Sequence, residues 1–295
     1  MDGKLLLIIN PVSGDGAAKN WAYDMIEILS KRFSVVSVYL SRGIGDIRKA
    51  VAEKAAEYDA VVVTGGDGSL SEILDGIVKS GASPLLGYVP MGTINDFAGS
   101  HGISKNVKTA LRQIVGGKER LYDVGMLGDR AFSYVAAFGA FTDVAYLTPQ
   151  DMKSALGKLA YISEATKRLP VLKPIRMTFE VDGRRETDEF IYGMVSNSKT
   201  VGSIKFFDYK DDAFLSDGMI EATLVRYPYS AAALQEDVVG LLDPKSEHRG
   251  VIRMCVPKIK FEFENDVAWT VDGEYGGEYK TVEAGVLSKR IRMIH

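Results

Sequence analysis

The first 120 residues alternate between two hydrophobic periods. Apolar runs at 5–9, 35–40, 60–64 and 85–89 read as strands, and the stretches near 17–31, 45–56 and 69–80 place apolar residues at helical spacing. This alternation predicts an α/β unit with a mostly parallel sheet, because parallel strands need crossovers and these are nearly always helical and right-handed. Ligands of such sheets bind beyond the carboxyl ends of the strands. After Asp123 the rhythm changes. Strand-like segments at 131–138, 175–181, 189–196, 219–225, 251–263, 279–284 and 288–294 dominate, with helical spacing only at about 151–168 and 230–242. The pattern predicts an α/β domain over 1–124 and a β-rich domain, sandwich or barrel, over 125–295, whose last residues could return toward the first. No repeat or low-complexity linker separates the two, so a cleft between them is expected.

With 295 residues and 46% hydrophobic content the chain can bury a large core. A net charge of -3 supplies no global field for nucleic acid, so an anionic ligand must be held locally. The apolar run 5–9, bounded by Lys4 and Asn10, is too short for a signal peptide or a membrane span, which predicts a cytoplasmic protein. Such a protein can still visit a membrane surface. The lone Cys255 excludes an internal disulfide and an all-cysteine metal site, and reads as a small core residue of a strand. His101, His248 and His295 stand apart in the sequence, and none is assigned a catalytic role.

Three first-domain strand ends carry candidate chemistry: Asn10-Pro11-Val12-Ser13-Gly14, Gly65-Gly66-Asp67-Gly68-Ser69, and Pro90-Met91-Gly92-Thr93-Ile94-Asn95-Asp96. Their glycines let the backbone approach a ligand, and the exposed N–H groups of a following helix bind anionic oxygens. Both common phosphate cradles, GxxxxGK[ST] and GxGxxG, are missing. Asp67 would repel a bare phosphate. It suits a magnesium ion or water network bridging to one, or a proton taken from an attacking hydroxyl, and Asp96 and Asp123 offer the same at neighbouring strand ends. Together they point to metal-assisted phosphoryl transfer, with helix N-capping as the plainer reading of Asp67 and Asp96.

These three loops, with Glu72 after the second, resemble the diacylglycerol kinase catalytic domain, specifically the soluble bacterial lipid kinases. The likeness continues through Asp123-Val124-Gly125, Phe138-Gly139, Gly157-Lys158-Leu159-Ala160-Tyr161, Ser196-Asn197, Asp217-Gly218 and Asp272-Gly273-Glu274, in family order. It implies an N-terminal nucleotide domain, a C-terminal β-sandwich, and transfer of the ATP γ-phosphoryl group to a lipid hydroxyl in the interdomain cleft. It further implies that Asn10, Pro11, Ser13, Gly14, Gly65, Gly66, Asp67, Gly68, Ser69, Glu72, Gly92, Thr93 and Asn95 form the ATP side. Glu274 maps to the family's general base, with Asp67 its rival. Asp67, Asp96, Asp123 and Lys158 map to the acidic and lysine network around an active Mg2+. A second, structural metal maps to the Asp217 region, with Leu215 as a backbone carbonyl ligand and Asp212 as a neighbour. Transient peripheral contact with the inner membrane face and a homodimer are the corresponding expectations.

The sequence departs from the family pattern in places. Ser69 stands for the usual threonine, Ser71 for a common asparagine, and Asp15 for a basic or polar residue; the 201–207 segment is without the usual double glycine. Two other readings follow. One is a soluble-acceptor kinase similar to the NAD kinases, which share Gly-Gly-Asp-Gly and an Asn-Asp segment. The other is a nucleotide- or lipid-binding regulator without turnover.

Overall fold

The computed structural model describes residues 3–14, 16–93, 95–140, 172–201, 205–209, 213–245 and 248–295. The helical expectation at 151–168, Lys158 within it, and Asp15 and Asp212 fall outside these residues. The amino-terminal half runs β1 (Lys4–Ile9), α1 (Ala22–Leu29), β2 (Val35–Leu40), α2 (Asp46–Lys54), β3 (Ala60–Gly65), α3 (Asp67–Ser80), β4 (Leu85–Pro90), α4 (Asp96–Ser100) and α5 (Val107–Gly116). Strands β4, β3, β1 and β2 lie side by side, all parallel. Alternate residues of β1 and β3 enter two different cores: Leu6, Ile8, Val61 and Val63 on one face, Leu5, Leu7, Ile9 and Val62 on the other. Burial on both faces is why these strands read as continuous apolar runs. Helix α3 is buried along most of its length, and a Cβ at its Gly76 would stand 2.8 Å from the Arg48 carbonyl oxygen, so glycine there lets α2 pack close.

The carboxyl-terminal half adds β5 (Glu119–Leu127), β6 (Arg130–Phe132), β7 (Val135–Gly139), β8 (Ile175–Val181), β9 (Arg184–Ser196), β10 (Ile220–Arg226), α6 (Ala231–Leu242), β11 (Val251–Val256), β12 (Lys258–Val271) and β13 (Glu274–Ile294). Both β7 and β8 pair with β9 and with β12, which closes a ring of strands. Inside it an aromatic cluster of Phe138, Phe261, Phe263 and Trp269 forms the core, with the Phe138 and Trp269 rings 4.7 Å apart.

The two halves are not cleanly separate sheets, because β13 runs through both. Its first part pairs with β12, its later part runs antiparallel to β5, and Arg292 and Met293 pair parallel with Leu85 and Leu86 of β4. One 13-stranded sheet therefore passes through both halves. A register shift between Leu287 and Ile291, with Lys289 at φ 50, interrupts the regular ladder, as a bulge does. The segments 279–284 and 288–294 are thus one strand, while 251–263 is two, divided at Pro257, which has no N–H for a ladder. Cys255, expected in a core, is exposed on β11, which among the described strands pairs with β10.

Candidate active site

The three glycine-bearing loops converge at the carboxyl ends of β1, β3 and β4. The Asn10 side chain donates to Ser69 Oγ at 2.9 Å, tying the first loop to the second. Gly66 and Gly92 pass face to face: a Cβ on Gly92 would stand 2.5 Å from the Gly66 Cα. A Cβ on Gly65 would overlap the Ser69 side chain, with Ser13 Oγ next to it. Glycine is required here because three backbones share one small volume. In the third loop Asn95 adopts the left-handed conformation (φ 53, ψ 56), and its amide binds Gly92 from both ends, accepting from the N–H and donating to the carbonyl. Asn95 Oδ1 also accepts the Tyr88 hydroxyl at 3.2 Å. Thr93 is exposed beside it.

Asp67 opens α3 but caps another helix. Its carboxylate accepts the N–H groups of Asp96 (3.1 Å) and Phe97 (3.4 Å) at the start of α4. Burial pushes its carboxyl up to about 6, and the Asp96 charge adds to this, against the two N–H donors. Asp96 itself accepts the Thr200 hydroxyl at 3.1 Å. Glu72, one turn into α3, accepts N–H groups of Gly45, Ile47 and Arg48 at the start of α2. It supports the cleft wall as an external cap.

The β12–β13 turn brings the late motif to the same place. Asp272, at φ 48, is buried and accepts the N–H groups of Ser133, Tyr134 and Val135 at 2.6 to 3.1 Å, together with the Ser71 hydroxyl. Ser71, which replaces an amide, thus links α3 to this turn. Two residues on, Glu274 faces α3: a Cβ on Gly68 would lie 3.4 Å from Glu274 Oε1. Burial raises the Glu274 carboxyl, as does the Glu72 charge, while Arg130 and Arg48 oppose it. Arg130 Nη2 stands 3.6 Å from Glu274 Oε2.

A cavity of about 380 Å³ joins these parts, lined by Asn10, Pro11, Ser13, Gly66, Gly68, Ser69, Glu72 and Glu274. Its remaining wall is Val12 with Ser41, Arg42, Gly43, Ile44 and Ile47. Residues 41–44 follow β2 and were not singled out in the sequence. The signal was present, since a glycine-containing Ser-Arg-Gly-Ile-Gly segment follows a parallel strand and faces the ligand edge as its neighbours do.

Asp123 and the Asp217 turn meet elsewhere. The Asp123 carboxylate accepts the N–H groups of Gly218 and Lys289, each at 2.6 Å, joining β5, the turn before β10, and the β13 bulge. Asp217 Oδ1 accepts from Met219 N, and Leu215 is buried in the core of the parallel-sheet half. Among the described residues no three His, Cys, Asp or Glu side chains converge as a metal cage. Mg2+ does not require one, being commonly held by one or two carboxylates, waters and substrate phosphates, and Asp67 with Asp96 beside the glycine loops fit that donor set.

The glycine-lined pocket thus lies at the ends of parallel strands and is faced by a carboxylate from the β-rich half. The diacylglycerol kinase catalytic domain model matches residues 4–127. The chain is 31% identical to a diacylglycerol kinase of Staphylococcus aureus (strain JH9), over 92% of this chain and 86% of that one, and 28% identical to one of Bacillus subtilis (strain 168), over 92% and 89%. A crystal structure of a diacylglycerol kinase from Bacillus anthracis str. Sterne shares the fold, with a TM-score of 0.75 at 21% identity over 99% of this chain and 96% of that one. The chain belongs to the diacylglycerol kinase catalytic-domain family, a family of kinase-type transferases.

Proposed function

We propose that the protein is an ATP- and Mg2+-dependent lipid kinase that phosphorylates a lipid hydroxyl, with diacylglycerol the acceptor and phosphatidic acid the product. The observation that carries this is the placement of Glu274 over Gly68, within one cavity with Asn10, Ser13, Gly66 and Ser69. The backbone N–H groups around Gly66–Ser69, at the start of α3, bind the nucleotide phosphates. Glu274 takes the proton of the lipid hydroxyl as its oxygen attacks the γ-phosphorus, and the bond to the β,γ-bridging oxygen breaks to release ADP. A carboxylate made more basic by burial suits that task. Asp67 and Asp96 would hold Mg2+ beside the glycine loops, where it would supply positive charge against the transferred group. Among the described residues no helix is long and apolar enough to cross a membrane, and in this reading the protein works in the cytoplasm and meets the inner membrane face transiently.

The test is transfer of labelled γ-phosphate from ATP, with Mg2+, to a lipid extract in mixed micelles, beside NAD and no-acceptor controls. A labelled lipid with the mobility of phosphatidic acid supports the reading, and label on NAD moves the protein to soluble acceptors. Glu274→Gln should lower the rate roughly 10²–10⁴-fold while ADP affinity stays near wild type. A fall in affinity alone would make Glu274 a binding residue.

A further inference from the structure

The segment that carries β6 and the start of β7 grips the β12–β13 turn at two points. From one side, the Asp272 carboxylate takes the N–H groups of residues 133–135. From the other, Arg130 reaches across: its Nη1 donates to the Tyr275 carbonyl oxygen at 2.6 Å, and its Nη2 faces Glu274 Oε2 at 3.6 Å. One planar guanidinium thus engages two consecutive residues of β13, a geometry that a lysine ammonium cannot reproduce. The contact to Glu274 is an ion pair longer than a tight hydrogen bond, and leaves the carboxylate able to accept a proton.

We propose that Arg130 is the positioning residue for Glu274, fixing its carboxylate against Gly68 and the phosphate side of the cavity.

Two further observations support this. Arg130 Nε is buried without a hydrogen-bond partner, so the guanidinium is held here through its two Nη groups. The other cation near Glu274, Arg48, already has its own partner: its Nε stands 2.7 Å from Asp75, whose carboxylate is almost wholly buried. The charged groups acting on Glu274 are Glu72 from α3, Asp272 from the same turn, Arg48 from α2 and Arg130 from β6. Arg130 acts on Glu274 more strongly than Arg48 does, so its loss should let Glu274 keep its proton to higher pH.

The inference rests on Glu274 being the base, and the experiment separates the two. Purified full-length wild type, Arg130→Gln, Arg130→Lys, Glu274→Gln and the double Arg130→Gln/Glu274→Gln variant would be compared by pH profiles of kcat/KM, KM for ATP, and difference infrared titration of the Glu274 carboxyl, with Glu274→Gln as the spectral blank. Arg130→Gln should lower kcat roughly 10- to 100-fold with KM for ATP within a few-fold, as displaced catalytic groups do. Its acidic limb, and the infrared titration, should move upward by about 1 pH unit. Arg130→Lys should restore the limb but only part of kcat, and in the Glu274→Gln background Arg130→Gln should have no further effect. An unmoved titration in Arg130→Gln, a raised KM with an unmoved limb, or additive losses in the double variant would overturn the proposal. The infrared titration needs no turnover, so an absent lipid-kinase activity leaves Arg130 still judged. Should Arg130→Gln fail to fold, Arg130→Lys decides by its kcat: a wild-type value would overturn the positioning role.

Discussion

Asp67, at the end of the parallel sheet, and Asp272, in the β12–β13 turn, are both carboxylates removed from water and held by backbone N–H groups. The resemblance ends there. Asp272 accepts three N–H groups and a hydroxyl, and is 6% exposed. Asp67 accepts two N–H groups at longer range, and its carboxyl is pushed up to about 6. A buried carboxylate whose acceptor sites are filled at short range holds structure together, whereas one left short of donors keeps the capacity to bind a cation or proton. Asp123, with two N–H partners at 2.6 Å, sides with Asp272 by this measure. Chemistry and architecture use the same residue type, and the closeness of the donors separates them.

The comparison breaks first at Asp67. Asp67→Ala should lower phosphoryl transfer roughly 10³-fold, the scale of losing a major electrostatic contact to the transferring group, in protein that circular dichroism shows to be folded. Near-normal transfer would place Asp67 with Asp272 among the structural carboxylates. Asp272→Ala should instead act on stability. It leaves three N–H groups, two of them buried, without an acceptor, at a cost of about 3–5 kcal/mol measured by chemical denaturation. A loss below about 1 kcal/mol would show that water replaces the carboxylate easily.

A pH experiment sharpens the contrast. Because the folded-state value of Asp67 lies above its ordinary 3.8, the native state holds this proton more tightly than the unfolded chain does. Asp67 therefore favours the fold while it is protonated at low pH, and that advantage is lost as pH rises through about 6. Relative to wild type, Asp67→Asn should gain stability between about pH 4 and pH 6, by at most about 3 kcal/mol, and the gain should then level off. A difference that is flat across this window would mean that Asp67 is not strained by burial. Saturating Mg2+ and nucleotide should shrink the wild-type deficit, since a bound cation favours the charged carboxylate.

How far the sequence displayed all this varies with the physics of each element. Strands β1, β3 and β4 were plain because burial on both faces keeps them almost wholly apolar. The loops after them were plain because the contact between Gly66 and Gly92 admits only glycine. Strand β13 was divided in two, since Gly285 and Ser288 break its alternation, and its pairing with β4 joins positions some two hundred residues apart. No local period records such a contact. Helix α5 was passed over although Asn106 caps it and Ala110, Leu111 and Ile114 form its buried face. The Gly-Gly-Asp-Gly and Asp-Gly-Glu motifs announced candidate chemistry, but not that Asp272 is locked by residues 133–135 or that Glu72 caps α2. Arg130 was invisible for the same reason: its meaning lies in a partner 144 positions away in the chain.

Tyr88 supplies the smallest effect and the finest division between the two kinds of group. Its side chain is 1% exposed, and its hydroxyl faces two acceptors, the Gly65 carbonyl oxygen at 3.1 Å and Asn95 Oδ1 at 3.2 Å. Burial, and then the charge of Asp67, raise the phenol well above its ordinary value, so it stays a donor. It thereby joins the end of β3 to the loop that aims the Asp96 N–H at Asp67. Yet neither acceptor depends on it alone, because Gly65 O also receives the Met91 N–H and Asn95 Oδ1 the Gly92 N–H. Tyr88→Phe should therefore cost about 1 kcal/mol in denaturation, without the larger penalty of an orphaned group. Transfer should fall by less than about tenfold, since Asp67 keeps both of its N–H donors. A loss rivalling that of Asp67→Ala would show that the hydroxyl sets the geometry of the phosphate side, and that the line between structural and chemical groups runs through this tyrosine.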